Sequence, residues 1–326
     1  MPNPKRDSTH ARAFLLWLSP RVRLCALLCV SLLLGGSGRA EEIPVPNGSF
    51  ETPATFFVSL NIDNWQRTPQ PVWWDTNTSG DWSTLIGIFK NTAPGNFDHI
   101  DNCHSNQAAW LFAQPEVGVF QDYDSVDWND VTPTHAFDAR FEVGKAYRLT
   151  VGLLVGGKGS GGGVTPGSTV NFSLYFRDAN SNRVTVAATS ITNFLDVFTN
   201  STQLFDFFVD VPTVRPGDAW AGQHIGIFLL STAELSDEGY WDIDNVRLNS
   251  LLAPVLLNPA RIDGQFQFTL RSEPGVAVEI LASTNARLPV TDWSSLMTVT
   301  NVTGTIPLVD TNADFDQRFY QARLVP

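Results

Sequence analysis

The sequence is poor in charged side chains. Only 17% of its 326 residues are Asp, Glu, Lys or Arg, whereas a typical domain has about 25%. Long helices and coiled coils are rich in Glu, Lys, Ala and Leu, so this shortage argues against them. A disordered chain is excluded as well, because 43% of the residues are hydrophobic and 22 Phe and 10 Trp provide ample apolar surface to bury.

Basic residues are especially scarce. The 21 Lys and Arg are outnumbered by 33 Asp and Glu, which gives a net charge of −12. Nucleic-acid binding needs a basic patch that faces the phosphates. We therefore expect no nucleic-acid partner.

The first forty residues are predicted to be a secretion signal. Residues 1–23 carry five basic residues against a single acid, residues 24–34 are apolar, and Gly38 and Ala40 follow at the small-residue positions of a cleavage site. The apolar run is shorter than the roughly 20 residues that span a membrane. We expect a secreted or cell-surface product with no membrane span after removal of the signal; a short membrane anchor is the alternative.

Cysteine is almost absent from the predicted mature chain. Cys25 and Cys29 lie within the signal, so only Cys103 remains and no intramolecular disulfide can form. The signal also contains six of the basic residues and one acid, so the remaining 286 residues have a net charge of −17. We expect a monomer that is stabilised by a large core, by a metal ion, or by both.

Hydrophobic residues alternate with polar ones along much of the chain, as is typical of half-buried strands. The clearest runs are 147–153, 170–176, 205–211, 225–229, 266–270, 276–280 and 319–325. Glycine-rich residues 156–167 indicate a loop, and no sustained helical period follows residue 40. The prediction is an all-β protein: a jelly-roll β-sandwich at 41–250 after the 1–40 signal, then a smaller β-sandwich at 251–326.

Two short motifs at the ends of the first predicted domain carry a family resemblance. The chain opens with Asn47-Gly-Ser-Phe-Glu51, has Trp65 about a dozen residues later, and closes with residues 241–248, Trp-Asp-Ile-Asp-Asn-Val-Arg-Leu. This pattern resembles the galactose-binding-like jelly rolls over residues 44–249. They include many carbohydrate-binding modules. Part of this group is similar to the secreted, calcium-dependent cyclases of cyanobacterial indole–terpenoid biosynthesis and to uncharacterised PEP-CTERM-type exported proteins.

The resemblance implies a structural calcium site. In that fold the first and last strands meet at one end, where carboxylates and backbone carbonyls can supply the oxygen ligands that Ca²⁺ requires. It assigns Glu51 and Asp244 as ligands, with Asn47 and Asp242 as weaker candidates. The alternative is that these acids are solvated groups at strand ends.

Tryptophan is concentrated in polar segments of the first predicted domain. Trp73, Trp74 and Trp82 lie in one such stretch and Trp128 in an acidic one. Exposed aromatic rings bind the apolar faces of sugars, so these four are the candidate ligand-binding residues. The alternative is that they pack beneath long loops. Trp65, Trp110 and Trp241 are assigned to the core.

The remaining polar clusters indicate no defined chemistry. Residues 97–105 contain Asp, His and Cys, but the spacing matches no zinc motif, so a surface loop is predicted. The acids between Asp122 and Asp138 could include a glycosidase pair, but their abundance makes proximity in sequence weak evidence. No catalytic residue is assigned.

The last predicted domain resembles small β modules that end exported proteins of Verrucomicrobia-like bacteria. The resemblance rests on residues 279–288, 292–299 and 316–324, and Gln321 departs from a usual basic residue there. It implies no chemistry, and it places Trp293 and Phe319 in a core.

The leading functional hypothesis is non-catalytic binding of a polysaccharide or glycan, with structural calcium. One alternative is a cyclase-like or hydrolytic enzyme with a carboxylate in the jelly-roll cleft. Another is a structural or adhesive exported protein. An open aromatic platform would favour glycan binding, and a deep apolar pocket that holds a carboxylate would favour an enzyme.

Overall fold

β-Strands account for nearly all regular structure in this protein. The computed structural model describes residues 41–96, 98–127, 131–155, 163–194, 196–199, 202–312 and 315–325. The predicted signal at 1–40 lies outside the described residues. The strands are β1 (Glu41–Ile43), β2 (Val58–Ser59), β3 (Gln66–Arg67), β4 (Ile86–Lys90), β5 (Gln107–Phe112), β6 (Gly118–Gln121), β7 (Lys145–Val155), β8 (Thr169–Arg177), β9 (Arg183–Thr192), β10 (Phe205–Val211), β11 (Gly226–Ser231), β12 (Tyr240–Leu252), β13 (Val255–Ile262), β14 (Gln265–Arg271), β15 (Val276–Ser283), β16 (Ser294–Asn301), β17 (Thr305–Asp310) and β18 (Phe319–Leu324).

Helical structure in the described chain is limited to short pieces. One α-helical turn, α1, covers Thr76–Ser79, and 3₁₀ turns cover Trp82–Leu85 and Val290–Asp292. No helix among these residues is long and apolar enough to cross a membrane. The predicted all-β class is confirmed.

Two large sheets form the jelly-roll β-sandwich. Sheet A has the order β10-β7-β12-β5-β4-β2, with β1 also paired to β12. Sheet B has the order β3-β6-β11-β8-β9. The register within each sheet is antiparallel throughout, for example Leu153 opposite Phe205 and Leu174 opposite Ile227.

The core lies between sheets A and B, and period-two alternation decides which side chains enter it. The inward set of β7 is Tyr147, Leu149, Val151 and Leu153, all fully buried. Sheet B contributes the alternate residues of β8 and β11 to the same cluster. Trp65 and Trp241 are also in this core, as predicted, with exposed fractions of 3% and 0%.

The two ends of the jelly roll meet at the centre of sheet A. Ile43 of β1 pairs with Leu248 of β12, and the Val246 amide donates to the Gly48 carbonyl at 2.7 Å. The segment that carries Asn47 and Glu51 therefore lies beside the strand that carries Asp242 and Asp244.

The C-terminal strands form two further sheets, in the orders β13-β14-β17 and β16-β15-β18. Their shared cluster is separate from the jelly-roll core and is built on Phe268, Leu270, Val278, Ile280 and Leu308. A boundary near residue 250 stays a prediction, although β12 ends at Leu252 and β13 begins at Val255.

Two core assignments in the C-terminal part are wrong. Phe319 is 37% exposed, and Trp293 is only half-buried and outside the cluster. The Trp293 indole instead donates to the Leu288 carbonyl at 3.1 Å. Tyr320, the neighbour of Phe319, provides the inward ring and stacks on Phe266 at 4.8 Å.

On the outer face of sheet B, one close contact between β8 and β11 depends on a glycine. Tyr175 crosses Gly226, and its hydroxyl donates to the buried carboxylate of Asp122. A Cβ on residue 226 would lie 2.3 Å from the Tyr175 ring. The tyrosine can occupy this position only because residue 226 is glycine.

We therefore expect Gly226→Ala to destabilise the protein by about 1–3 kcal/mol, because Tyr175 must move away from Asp122. Urea unfolding measures this change. Gly217→Ala is the matched control, since nothing lies within 4 Å of its added Cβ. Equal unfolding midpoints for the two variants would contradict the close packing.

Candidate functional site

Buried carboxylates occupy the outer face of sheet A, the face directed away from the sandwich core. Trp241 and Ile243 of β12 point inward, so the alternating residues Asp242 and Asp244 point outward. Both carboxylates are nevertheless buried, with exposed fractions of 7% and 0%. They are buried because a second apolar cluster covers this face.

The covering cluster joins strands to loops. It consists of Ile100, Ala108, Leu154 and Leu204, with Phe89 and Cys103 packed against it. The loop before β5 is held in place by Asn91, whose side chain pairs with the backbone of Ile100 at 2.9 Å in both directions. Asn102 pairs similarly with the backbone of Leu204.

The backbone of residues 104–107 binds two carboxylates at once. Glu51 Oε1 accepts N–H groups from Asn106 and Gln107 at 2.8 and 2.7 Å. Asp244 Oδ2 accepts the His104 N–H at 2.6 Å. The two acids predicted from the end motifs are therefore brought to the same loop.

These two carboxylates repel each other in a poorly solvated site. Burial raises the pKa of Asp244 to about 7, and the charge of Glu51 adds to the increase. Hydrogen bonds from His104, Asn245 and Cys103 oppose it. The Cys103 thiol is affected in turn, because burial and the nearby carboxylates raise its pKa.

A calcium ion fits the chemistry of this pair. Ca²⁺ prefers carboxylate and carbonyl oxygens, and a cation would relieve the repulsion between Glu51 and Asp244. The described residues contain no group of three or more His, Cys, Asp or Glu placed to hold a metal. Backbone carbonyls or waters would have to complete the coordination.

Asn47 is already engaged elsewhere. Its Nδ2 donates to the carbonyls of Thr52 and Asp63 at 2.7 and 2.9 Å, and its Oδ1 accepts the Thr52 N–H at 3.0 Å. Its backbone carbonyl accepts the Trp65 indole N–H. The side chain fixes the turn that precedes Glu51, and its Oδ1 already accepts one hydrogen bond; its role as a calcium ligand stays a prediction.

Asp242 lies in a different environment from Asp244. Its Oδ1 is buried and has no hydrogen-bond partner among the described residues. Burial raises its pKa well above the usual range, and the charge of Asp98 adds to this. Asp242 is thus a carboxyl group that favours its protonated form.

Apolar groups flank Asp242 in the sheet. Trp110 of β5 and Leu154 of β7 are directly opposite it in the register, so the three side chains share the outer face. Trp110 lies across Gly87, where a Cβ would be 2.2 Å from the ring. The assignment of Trp110 to the core is therefore wrong; it is a half-buried indole beside the acid.

The predicted tryptophan platform is wrong for two of its members. Trp74 and Trp82 are 9% and 4% exposed and belong to the core, whereas Trp73 is 42% exposed. The three indoles pack edge to face, with centroids 5.1 to 6.1 Å apart. The N–H groups of Trp74 and Trp82 are satisfied by carbonyls of Gly80 and Thr68. Trp128 lies outside the described residues.

Sequence reasoning also missed the importance of residues 98–106. This segment was expected to be only a surface loop, yet it covers the acids and donates to them through its backbone. The type of a residue does not indicate whether its backbone N–H donates to a carboxylate. The available signal was the apolar pair Ile100 and Cys103 within an otherwise polar stretch.

Comparison with known families decides where this fold belongs. The family model described as HpiC1-like (HpiC1 cyclase) matches residues 41–249. The chain belongs to the HpiC1-like cyclase family. The match includes Glu51, Trp110, Asp242 and Asp244, and it ends before the C-terminal sheets.

Solved structures give more distant similarities. A cyclase from Fischerella sp. TAU is 22% identical, with a TM-score of 0.47, over 66% of this chain and 100% of that chain. The Stig cyclase Fisc from the same source, in complex with an indole compound, is 21% identical, with a TM-score of 0.46, over 66% and 99%. The tandem CBM22 domains of Paenibacillus barcinonensis Xyn10C are 9% identical, with a TM-score of 0.37, over 89% and 87%. A search of curated proteins found no match.

Proposed function

We propose that this protein is a cyclase-type catalyst in which the carboxyl group of Asp242 is the general acid. One observation carries the proposal: Asp242 is buried, its Oδ1 has no hydrogen-bond partner among the residues that the structure describes, and it lies between Trp110 and Leu154. A carboxylate in apolar surroundings is one part of the arrangement that would favour an enzyme; the other part is a deep pocket beside it.

The surroundings of Asp242 suit a proton-initiated ring closure. The carboxyl proton would pass to a carbon of an unsaturated substrate, and the resulting cation would be attacked by an internal nucleophile to close the ring. A final deprotonation returns a proton to the carboxylate. The Trp110 ring can stabilise the intermediate positive charge through its π face.

The substrate class follows from family membership and from the apolar site. A Stig cyclase in this group of folds was solved in complex with an indole compound. We propose an aromatic substrate with an unsaturated chain, of the indole–terpenoid kind, for this chain as well.

We further propose that Glu51 and Asp244 bind a structural calcium ion. The support is their joint anchoring on residues 104–107 and the repulsion between them. Such an ion would link the first and last strands of the jelly roll, which no disulfide does. The protein is proposed to work as a monomer outside the cell, after loss of residues 1–40.

Glycan binding is the second candidate, and Trp73 is the observation that favours it. Its indole is 42% exposed, and its N–H is held by Glu116 Oε1 at 2.9 Å. A fixed, exposed ring of this kind can stack on a sugar. A single ring gives weaker support than the three-ring platform expected from the sequence.

Asp242→Asn should lower the rate of cyclisation of an indole carrying a terpene chain by about 100-fold or more, because the amide cannot deliver a proton. Product formation by chromatography measures the rate. Asp292→Asn is the control, since it removes an exposed acid in the C-terminal part, outside the site. A wild-type protein that does not cyclise such compounds, or an Asp242→Asn variant with full activity, would refute the proposal.

Calcium should raise the melting temperature of the wild-type protein by roughly 5–11 °C at 100-fold excess over the dissociation constant. Asp244→Asn should remove most of this shift, because it deletes a buried charge at the ion. Asp292→Asn, an exposed change in the C-terminal part, should keep it. Identical melting curves in calcium and in chelator would show that Glu51 and Asp244 hold no ion.

Trp73→Ala should weaken binding to a soluble polysaccharide about tenfold or more if the exposed indole is a stacking platform. Affinity electrophoresis against xylan, mannan and galactan provides the measurement. Phe56→Ala, at a residue that is 96% exposed, is the control. Unchanged migration of the wild-type protein in every gel argues against this second candidate.

A further inference from the structure

A groove lies where the end of β10 and the segment after it face β18. Its volume is about 390 Å³, and residues from both the family-matched part and the C-terminal part line it. Those that matter for binding are Arg215, Asp218, Trp220, Gln321 and Leu324. The groove is separate from the acid site, since none of its lining residues belongs to that site.

The groove has hydrogen-bonding groups that are not otherwise used. Within the described residues, the guanidinium of Arg215 and the amide of Gln321 make no side-chain hydrogen bond or ion pair, and Trp220 Nε1 is buried without a partner. Asp218 Oδ2 accepts only the Arg215 backbone N–H, at 2.7 Å. The guanidinium of Arg215, the amide of Gln321 and the second carboxylate oxygen of Asp218 are thus available to a ligand, whereas Trp220 Nε1 is closed to solvent.

Other polar groups at the groove are already satisfied and hold its walls in place. Arg148 makes two bonds with Asp210, at 2.7 and 2.8 Å, and also donates to the Val325 carbonyl at 3.4 Å. Arg323 binds Glu279 at 2.6 Å. These contacts fix β7, β10 and β18 relative to one another, so the groove is pre-formed.

The composition of the groove favours a neutral polyhydroxylated ligand. Two carboxylates, Asp210 and Asp218, balance two guanidiniums, Arg215 and Arg323, so the groove has no net charge to attract an ion. Trp220 and Leu324, with two prolines nearby, give an apolar wall for the carbon face of a ring. Planar side chains that both donate and accept match neighbouring hydroxyl groups.

We propose that this groove binds one neutral sugar ring, such as a single pyranose unit of a glycan. The volume lies within the range of small-ligand pockets, roughly 300–1,000 Å³. Arg215 and Gln321 donate to ring hydroxyls, Asp218 accepts from one, and Trp220 lies against the ring. The site requires the C-terminal sheets, because Gln321 and Leu324 belong to β18.

Titration calorimetry of residues 41–326 with glucose, galactose, mannose and xylose tests the proposal, with glucuronate as the charged comparison. At least one neutral sugar should bind saturably, and Arg215→Ala and Gln321→Ala should each weaken it about tenfold. Trp220→Phe loses only a buried N–H that the ligand does not reach and keeps an aromatic ring, so it should remain folded and bind as the wild type does. Arg287→Ala, at an exposed arginine outside the groove, should bind as the wild type does.

Three results would overturn the proposal. They are the absence of saturable binding by any of the neutral sugars, binding of glucuronate alone, and equal affinities for Arg215→Ala and Arg287→Ala. Asp242→Asn should leave this binding unchanged, and the losses caused by Arg215→Ala and Gln321→Ala should persist in a Trp73→Ala background. Failure of the acid chemistry or of the Trp73 platform is therefore distinguishable from failure of the groove.

Discussion

The burial of carboxylates on the outer face of sheet A is the constraint on which the rest of the site depends. An acid on the outer face of a sandwich would normally be solvated, but residues 98–106 and Leu204 exclude water from Asp242 and Asp244. The surroundings of the two acids differ. Asp244 accepts backbone hydrogen bonds and lies near a second carboxylate, which suits binding of a cation. Asp242 has an oxygen without a hydrogen-bond partner among the described residues and lies beside an indole, which suits proton transfer.

Most of the fold could be predicted from the sequence, because a sandwich is specified by alternation along each strand. The runs at 147–153, 170–176 and 205–211 coincide with β7, β8 and β10. Short strands such as Val58–Ser59 and Gln66–Arg67 could not be found this way, since two residues have no period. Phe319 was misplaced because two adjacent aromatics, Phe319 and Tyr320, gave no sign of which one faces the core.

Only those residues of the candidate site that belong to recognisable sequence motifs could be predicted. Glu51 and Asp244 were implied by the family resemblance of the motifs at the two ends of one domain, and the structure brings both to residues 104–107. The prediction for the tryptophans depended on their exposure, which local composition does not specify. Trp74 and Trp82 lie in a polar segment, yet their rings pack together with centroids 5.1 Å apart. Trp110 was misassigned for the opposite reason, since an apolar run does not reveal that Gly87 leaves space for its ring on the outer face.

β12 has one more consequence, which concerns force. It is a single thirteen-residue strand that pairs with β7 over most of its length and then leads directly to the C-terminal sheets. Extraction of β12 along its own axis would load its hydrogen bonds to β7 together in shear, whereas peeling would open them one by one. A force along the axis of β12 would act on the strand that carries Asp242 and Asp244.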